Sequence, residues 1–404
     1  MKKKQIAIIG GGASGILAAI FASNPNTLVT IYEKNNKLGK KILATGNGRC
    51  NFTNVFATPE DYNHYSFVEP ALHAFSPKDT LAYFDQLGIT PKIEDLGKTY
   101  PLSEQASSIV DVLIHELKEK QVKIITEATV TELHKHQEIF NIKLSDGRLF
   151  QADKVIIATG GKAMPNSGSD GSGYLLAKHL GHHVTPLFPA LVKLVLDSPY
   201  LKHIDGVKIP GKVQLLDKNE VVQEENGDIL FTKYGISGPT ILQLSRKANA
   251  MLNNHERVVI KVILVTLLSK EDIEKRFIQQ STKTIEFSLV GLIHKKLILP
   301  LLKEAGIHHP HDLVSSLSPK EKNRLIALLF DWRFLVVGTK GFEDAQVTAG
   351  GIVIDEVNRE TMESKLVKGL YFTGEILDID GLCGGYNLQW AWSSAYLAGK
   401  DASK

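Results

Sequence analysis

The apolar positions at the start of the chain form two short runs separated by glycine. Gln5-Ile-Ala-Ile-Ile9 has the length of a buried strand, and Gly10-Gly-Gly-Ala-Ser-Gly15 interrupts it. Ile16 to Ala22 then resumes with helical composition, followed by a second strand-like run, Leu28 to Glu33. Between Lys4 and Glu33 no residue is charged, as in a signal peptide or membrane anchor, but the glycine turn would break either one. No other uncharged apolar run in the sequence is long enough to span a bilayer.

Farther along, Val130 to Leu133, Ile139 to Leu144 and Leu149 to Gln151 read as a β-meander turning at Asp146-Gly147. Lys154-Val-Ile-Ile-Ala-Thr-Gly-Gly161 is a buried strand ending in small residues, and Gly369-Leu-Tyr-Phe-Thr-Gly-Glu375 is a second one ending in glycine plus an acid. The middle of the chain has two textures. Leu191 to Leu196, Val207 to Leu216 and Arg257 to Leu264 alternate like sheet strands, whereas Glu271 to Gln280, Leu297 to Ala305 and Pro319 to Trp332 look helical. Ser318 caps the last of these, with Pro319 at its first position, and Arg333 to Val337 returns to the sheet. The pattern predicts an α/β protein in which a Rossmann-type domain (1–190 and 350–404) is interrupted by a β-rich domain (191–264, returning at 334–349). That domain itself carries a helical insertion at 265–333.

Composition narrows the function classes. A formal charge of +3, from 47 basic and 44 acidic residues, leaves no large surplus to neutralise phosphates, so nucleic acid is not the expected partner. Two cysteines far apart, Cys50 and Cys383, cannot form a disulfide framework, which favours a reducing cytoplasm. His182-His183 and His308-His309-Pro310-His311 lie at turns without the cysteine or carboxylate spacing of a closed metal site; solvated loop histidines are expected, and no metal. Trp390 and Trp392 on the last helix are expected to pack against the sheet.

The strand, turn, helix and strand at the N-terminus supply a dinucleotide fingerprint, Gly10-x-Gly12-x-x-Gly15. Gly10 permits the tight turn, Gly12 lets backbone approach a pyrophosphate, and Gly15 lets helix and strand pack closely. Ala13 and Ser14 stand in the first helical turn, whose free N–H groups face the phosphates. Glu33, with Lys34 after it, closes the second strand, where a carboxylate can accept both hydroxyls of an adenosine ribose and disfavours a 2′-phosphate. Ala158-Thr159-Gly160-Gly161 beside this fingerprint resembles the large FAD-binding group that includes glutathione reductase and fumarate reductase. In that group Gly374-Glu375 would place a carboxylate on the flavin ribityl chain. Gly384-Gly385-Tyr386-Asn387 would aim a helix N-terminus at the pyrimidine end of the isoalloxazine, where negative charge accumulates on reduction. Val130 is included among the cofactor contacts.

Three further segments make the resemblance specific. Gly39-Lys40-Lys41 with Thr45-Gly46-Asn47-Gly48-Arg49-Cys50-Asn51-x-Thr53-Asn54, Leu230-Phe-Thr-x-x-Gly-Ile-Ser-Gly-Pro239, and Thr373-Gly-Glu-x-Leu-Asp378 through Asn387 are similar to the BaiN-type and aminoacetone-oxidase-like flavoprotein family, from residue 6 to about 400. The resemblance implies that Gly39 to Asn51 wraps the FAD pyrophosphate and flavin edge, with Lys40, Lys41 and Arg49 as cationic contacts and Cys50 close to the flavin. Asn51 and Asn54 would orient the loop or the ring, and the inserted domain would cover the flavin and shape the substrate pocket. FAD is expected to be held without a covalent bond, since no histidine or cysteine stands clearly poised for a flavin linkage.

The activity expected first is oxidation of a small primary amine resembling aminoacetone, with hydride passing to flavin N5 and dioxygen as acceptor. The alternative is an NAD(P)H-dependent reductase of an unsaturated or keto substrate, and a third is a flavoprotein acting on RNA. No second strand-GxGxxG-helix unit is visible: Gly168-x-x-Gly171-x-Gly173 follows Pro165-Asn166 rather than a strand. NAD(P)H would therefore be a transient co-substrate. Asp378 and Asp380, between the flavin acid and the Gly384-Gly385 turn, are the candidates for contacting a cationic amine or a ribityl hydroxyl.

Overall fold

The computed structural model describes residues 3–404, which divide into two compact units: residues up to Pro189 together with Gln346–Lys404, and Ala190–Ala345. The first is organised by five parallel strands, β1 (Lys4–Ile9), β2 (Thr27–Tyr32), β3 (Lys123–Ile125), β4 (Lys154–Ile157) and β5 (Leu370–Phe372), in the order β5-β4-β1-β2-β3. Because both faces of this sheet are covered, β1 and β4 read as continuous apolar runs rather than alternating ones; Ile6, Ile8, Val155, Ile156 and Ile157 are all buried. Helix α1 (Ala13–Ala22) packs against α2 (Tyr386–Ala402), closely enough that a Cβ on Gly399 would lie 2.6 Å from the Ala18 carbonyl oxygen. Trp390 and Trp392 are buried, and their indole N–H groups donate to the carbonyls of Gly374 and Phe52. The meander forms a three-stranded antiparallel sheet (Val130–His136, Ile139–Leu144, Leu149–Ala152) that turns through Gly147 at φ +88°.

The second unit is a closed six-stranded barrel in the order Leu194–Asp197, Gly235–Ser237, Glu220–Thr232, Lys208–Asp217, Val258–Ile263, Trp332–Thr339. Helices Lys270–Gln279, Lys295–Ala305 and Pro319–Phe330 lie between the last two strands, the last opened by a Ser318 capping box with Glu321. The sequence reading missed the longest strand, Glu220–Thr232. Its first half, Glu220 to Gly227, extends a hairpin with Lys208–Asp217 through a Lys218-Asn219 turn, both residues left-handed (φ +46° and +75°), and carries no buried apolar side. Trp332, read as the end of a helix, instead opens a strand and is buried beside Phe231 and Phe334. No helix among the described residues is long and apolar enough to cross a membrane.

His182 departs from the expected solvated state. It is 3% exposed, with Nε2 2.8 Å from Ser364 Oγ and Nδ1 3.0 Å from Glu356 Oε2. Ser364 Oγ already accepts the N–H groups of Leu366 and Val367, so its hydrogen goes to Nε2 and the imidazole carries its own on Nδ1. Burial holds this imidazole below its ordinary value, partly offset by the Glu356 carboxylate. Among the described residues no cluster of His, Cys, Asp or Glu could hold a metal ion.

Candidate functional site

The parallel strands deliver their glycine-rich ends to one place, and steric contacts show why each small residue stands where it does. Gly10 turns at φ +103°, where a Cβ would lie 2.5 Å from the Ala158 carbonyl oxygen, and a Cβ on Gly15 would lie 1.9 Å from the Gly10 carbonyl oxygen. Gly12 is different: a Cβ there meets nothing within 4 Å. It is the N-cap of α1, which has neither a side-chain cap nor an acidic residue in its first turn, so the leading N–H groups at Ala13 and Ser14 border open space. Ser14 Oγ lies 3.3 Å from the Thr373 carbonyl oxygen, tying α1 to the end of β5.

Glu33 is buried at 7% exposure, and its two oxygens are held from opposite sides. Oε2 accepts the Gly11 N–H at 2.7 Å; Oε1 accepts the backbone and side-chain N–H groups of Asn35 at 2.7 and 2.8 Å. The carboxylate is thereby fixed against the fingerprint turn, with a lone pair remaining on Oε2. The Ala128 N–H bonds the Glu33 carbonyl, which brings buried Val130 into the same corner. Lys34 turns to Asp170 at 2.7 Å.

The Gly39 to Asn54 stretch begins on the same turn, with the Gly39 N–H donating to the Gly11 carbonyl at 2.8 Å. Gly39 (φ +70°) opens the short helix Lys40–Ala44; Thr45 closes it by donating to the Ile42 carbonyl, and Gly46 and Asn47 are both left-handed. Gly48, also left-handed, has open space where a Cβ would be. Of the three cations, Lys40 is exposed, Lys41 pairs with Glu375 Oε2 at 2.6 Å, and Arg49 stacks 4.0 Å over the Tyr100 ring and pairs with Glu94 at 3.0 Å. Cys50 is fully buried, and burial pushes its thiol up to about 12 despite a bond from Thr45. Neither Cys50 nor Cys383 is joined in a disulfide. Asn51 and Asn54 hold loops: Asn51 Oδ1 accepts the Thr99 N–H, and Asn54 Nδ2 donates to the carbonyls of Leu96 and Gly384.

After β4, Thr159 abuts Gly173 and Gly160 is left-handed, while a Cβ on Gly161 would lie 2.4 Å from Thr348 Oγ1 and 3.0 Å from Glu375 Oε1. Thr348 binds this loop by accepting the N–H groups of Lys162 and Ala163, and its own N–H reaches Glu375 Oε1 at 2.8 Å. Glu375 thus joins segments from three parts of the chain. Gly374 (φ +72°) leaves no room beside Ser14, and Gly384 and Gly385 (φ +120° and +101°) let the chain pass 2.4 Å, for an added Cβ on Gly385, from the Thr53 backbone. They lead into α2, whose N-terminus also lacks a side-chain cap. Tyr386 accepts from Tyr62 through its carbonyl, and the Asn387 amide closes the Gly381–Leu382 loop.

The two aspartates are placed differently. Asp378 Oδ2 accepts from Thr185 Oγ1 at 2.9 Å and stands 3.7 Å from His64 Nε2; Oδ1 accepts from Asn63 Nδ2 at 3.2 Å. Asp380 is 4% exposed, and its N–H donates to Asn63 Oδ1. Sequence reasoning missed Asn63, His64, Thr185 and Thr348. Only Thr348, inside the small-residue run Val347-Thr-Ala-Gly-Gly351, carried a signal of a backbone-contacting loop.

A parallel sheet, a glycine turn opening an uncapped helix, a buried acid ending β2 and a second acid after β5 define a Rossmann-type FAD-binding domain. The family described as HI0933-like protein Rossmann domain matches residues 4–401, and the chain belongs to it. It is 40% identical, over 99% of both chains, to a 3-dehydro-bile acid delta(4,6)-reductase of Clostridium scindens. It is also 32% identical to a ribosomal RNA dihydrouridine synthase of Escherichia coli, over 99% of this chain and 98% of that one. Its identity to the protein of the same name in Haemophilus influenzae is 33%, over 98% of each. The protein is an FAD-dependent oxidoreductase. The uncapped α1 N-terminus and the open space at Gly12 and Gly48 fit the cofactor: they are donors without acceptors beside backbone that a side chain would block.

Proposed function

We propose that this oxidoreductase reduces a carbon–carbon double bond conjugated to a carbonyl group, using NAD(P)H as the electron source. The observation that carries the reading is the agreement among full-length relatives. A bile-acid delta(4,6)-reductase saturates double bonds in conjugation with a 3-oxo group, and a dihydrouridine synthase saturates the ring double bond conjugated to a uracil carbonyl. Both names describe reductions of one chemical unit, and neither describes amine oxidation. The higher identity favours a small enone; the two dihydrouridine synthases support a second reading in which the unit is a uridine of ribosomal RNA.

FAD, when bound, supplies the electron pair for such a reduction and is reset by the nicotinamide. The site's architecture supports the following set of residues as those that would hold it. The α1 N-terminus and Gly12 would take the pyrophosphate, Glu33 the adenosine ribose, with Val130 nearby, and Gly39 to Asn51 the pyrophosphate and flavin edge. Lys41 and Thr348 hold the Glu375 carboxylate, which would accept a ribityl hydroxyl, and the uncapped α2 N-terminus would favour negative charge developing on the flavin. Arg49 steadies the loop through Tyr100 and Glu94. The strands of the barrel unit pair antiparallel, with no parallel βαβ unit among its described residues, so the nicotinamide would react without a Rossmann domain of its own.

The test is product analysis. Purified protein is incubated anaerobically with NADPH or NADH and a 3-oxo-delta(4,6) steroid, and ribosomal RNA from a strain lacking the gene is analysed for dihydrouridine. Saturation of the steroid supports the small-enone reading; loss of a dihydrouridine supports the RNA reading. Neither outcome, together with peroxide release from a primary amine such as aminoacetone, would return the function to amine oxidation.

A further inference from the structure

Saturating a conjugated double bond requires more than an electron pair: a second hydrogen must arrive as a proton. On the reading above, reduced FAD would supply the hydride that forms the C–H bond at the carbon β to the carbonyl and would be left oxidised. The double-bond pair moves toward the carbonyl oxygen. A proton must then form the C–H bond at the α carbon.

The second half of the stretch between Glu375 and the α2 N-terminus is bordered by the segment from Asp61 to Asn63. The Leu382 N–H donates to the Asp61 carbonyl, Tyr62 Oη to the Tyr386 carbonyl at 2.8 Å, and the Asn63 N–H to the Asp380 carbonyl, while the Asp380 N–H returns a bond to Asn63 Oδ1. Asp378 follows Glu375 by three residues, and its N–H donates to the Ile352 carbonyl. The next residue of the bordering segment is His64. Its side chain is 40% exposed, and Nε2 stands 3.7 Å from an Asp378 carboxylate that is 14% exposed and fixed by Thr185 and Asn63. An imidazole open to solvent on one side and backed by an immobilised carboxylate on the other is a proton carrier that can be refilled.

We propose that His64 is the proton donor of this reduction and that Asp378 is the residue that positions it. The imidazolium N–H bond breaks as the α C–H bond forms, the ring keeps the electron pair, and solvent returns the proton through the exposed edge. The other groups are less suited. Tyr62 is pushed well above its ordinary range by burial and donates to a carbonyl; Tyr174, Asp380 and Cys50 are buried. Cys383, half-buried 4.0 Å from Gln346 Oε1, is the principal competitor.

The experiment compares wild-type protein with His64→Gln, His64→Gly, Asp378→Asn and Cys383→Ser, all FAD-loaded. Three readouts are taken: bleaching of the flavin by NADPH, enone binding from the shift of the flavin absorption band, and single-turnover reoxidation by the enone. We expect His64→Gln to bleach and to bind the enone within twofold of wild type while reoxidation slows by about 100-fold or more. Free imidazole should restore His64→Gly, and Asp378→Asn should slow reoxidation by about tenfold with binding unchanged. Unchanged reoxidation in His64→Gln, or a larger loss in Cys383→Ser, overturns the assignment. If wild-type protein is bleached but reoxidised by neither enone nor uridine, the reduction itself is wrong and the assignment falls with it.

Discussion

In the unit that carries the fingerprint, crowding is concentrated at the strand ends: an added Cβ would lie 1.9 Å from backbone at Gly15, 2.4 Å from Thr348 at Gly161 and 2.7 Å from Ser14 at Gly374. In the barrel unit a crowded glycine such as Gly235, 2.1 Å from the Leu194 carbonyl oxygen, sits between paired strands, and Gly338 near the end of the closing strand has nothing within 4 Å. Polar side chains follow the same division. Glu33, Glu375 and Asp378 gather N–H and O–H groups from distant segments, whereas barrel pairs such as Lys208–Asp228 and Lys212–Glu224 are exposed or half-buried, where such pairs are worth about 0–1 kcal/mol. The barrel is stabilised mainly by its apolar core. The Rossmann unit spends its tight geometry on holding backbone donors and carboxylates beside open space.

That difference sorts the effects of substitution. The largest is expected at Glu33→Arg, which removes a ribose acceptor and the Gly11 tether together. Losing two charge-assisted bonds costs roughly 3–6 kcal/mol of FAD affinity, read as flavin content after gel filtration. Normal flavin content would mean that Glu33 does not hold the ribose. Trp332→Ala should cost about 3–5 kcal/mol of barrel stability by emptying a site 1% exposed, measured by denaturant unfolding of the apoprotein. Gly15→Val should cost about 3 kcal/mol and lose FAD, because its Cβ meets backbone, while Gly338→Ala stays within about 0.5 kcal/mol. Equal effects at the two glycines would erase the contrast between the units.

A smaller effect depends on pH. His182 is held below its ordinary value in the fold, so the unfolded chain binds more protons as pH falls through about 6.5, the ordinary histidine value. Its neutral, Nδ1-protonated form is stable above that range, and the loss grows until the folded-state value is passed. Glu356 adds a second acid-side loss. Burial raises its carboxyl, but bonds from His183 and His182 outweigh that and leave it below the ordinary glutamate range, so its contribution disappears at lower pH still. Thermal unfolding of wild type and His182→Asn between about pH 7.5 and 5.5 checks this, the wild type losing more stability across that range.

Legibility followed the range of the forces involved. The fingerprint could be read because Gly10 and Gly15 answer to contacts within one β–α turn or with the neighbouring strand, and Gly12 to the open space beside it. Glu33 could be read from its place at the end of β2, although its bonds to Gly11 and Asn35 could not. His182 was misread because the partners that remove it from water, Glu356 and Ser364, are 174 and 182 positions away. Strand Glu220–Thr232 escaped because its outer half pairs by backbone alone and leaves no apolar period. Arg49 was legible as a cation of the cofactor loop, but its place over Tyr100 and beside Glu94 was not. The activity was the least legible, because an FAD site is common to oxidases and reductases, and full-length relatives rather than motifs moved the reading toward reduction.

The central claim is reduction of a conjugated double bond, and stopped-flow spectroscopy tests it most directly. Oxidised protein is mixed anaerobically with NADPH, NADH or aminoacetone in turn, and the flavin band near ~450 nm, common to oxidised flavins, is followed before a 3-oxo-delta(4,6) steroid is added. The account predicts bleaching by a nicotinamide, none by the amine, and recovery of the band when the steroid arrives. Bleaching by aminoacetone with no response to either nicotinamide would contradict it.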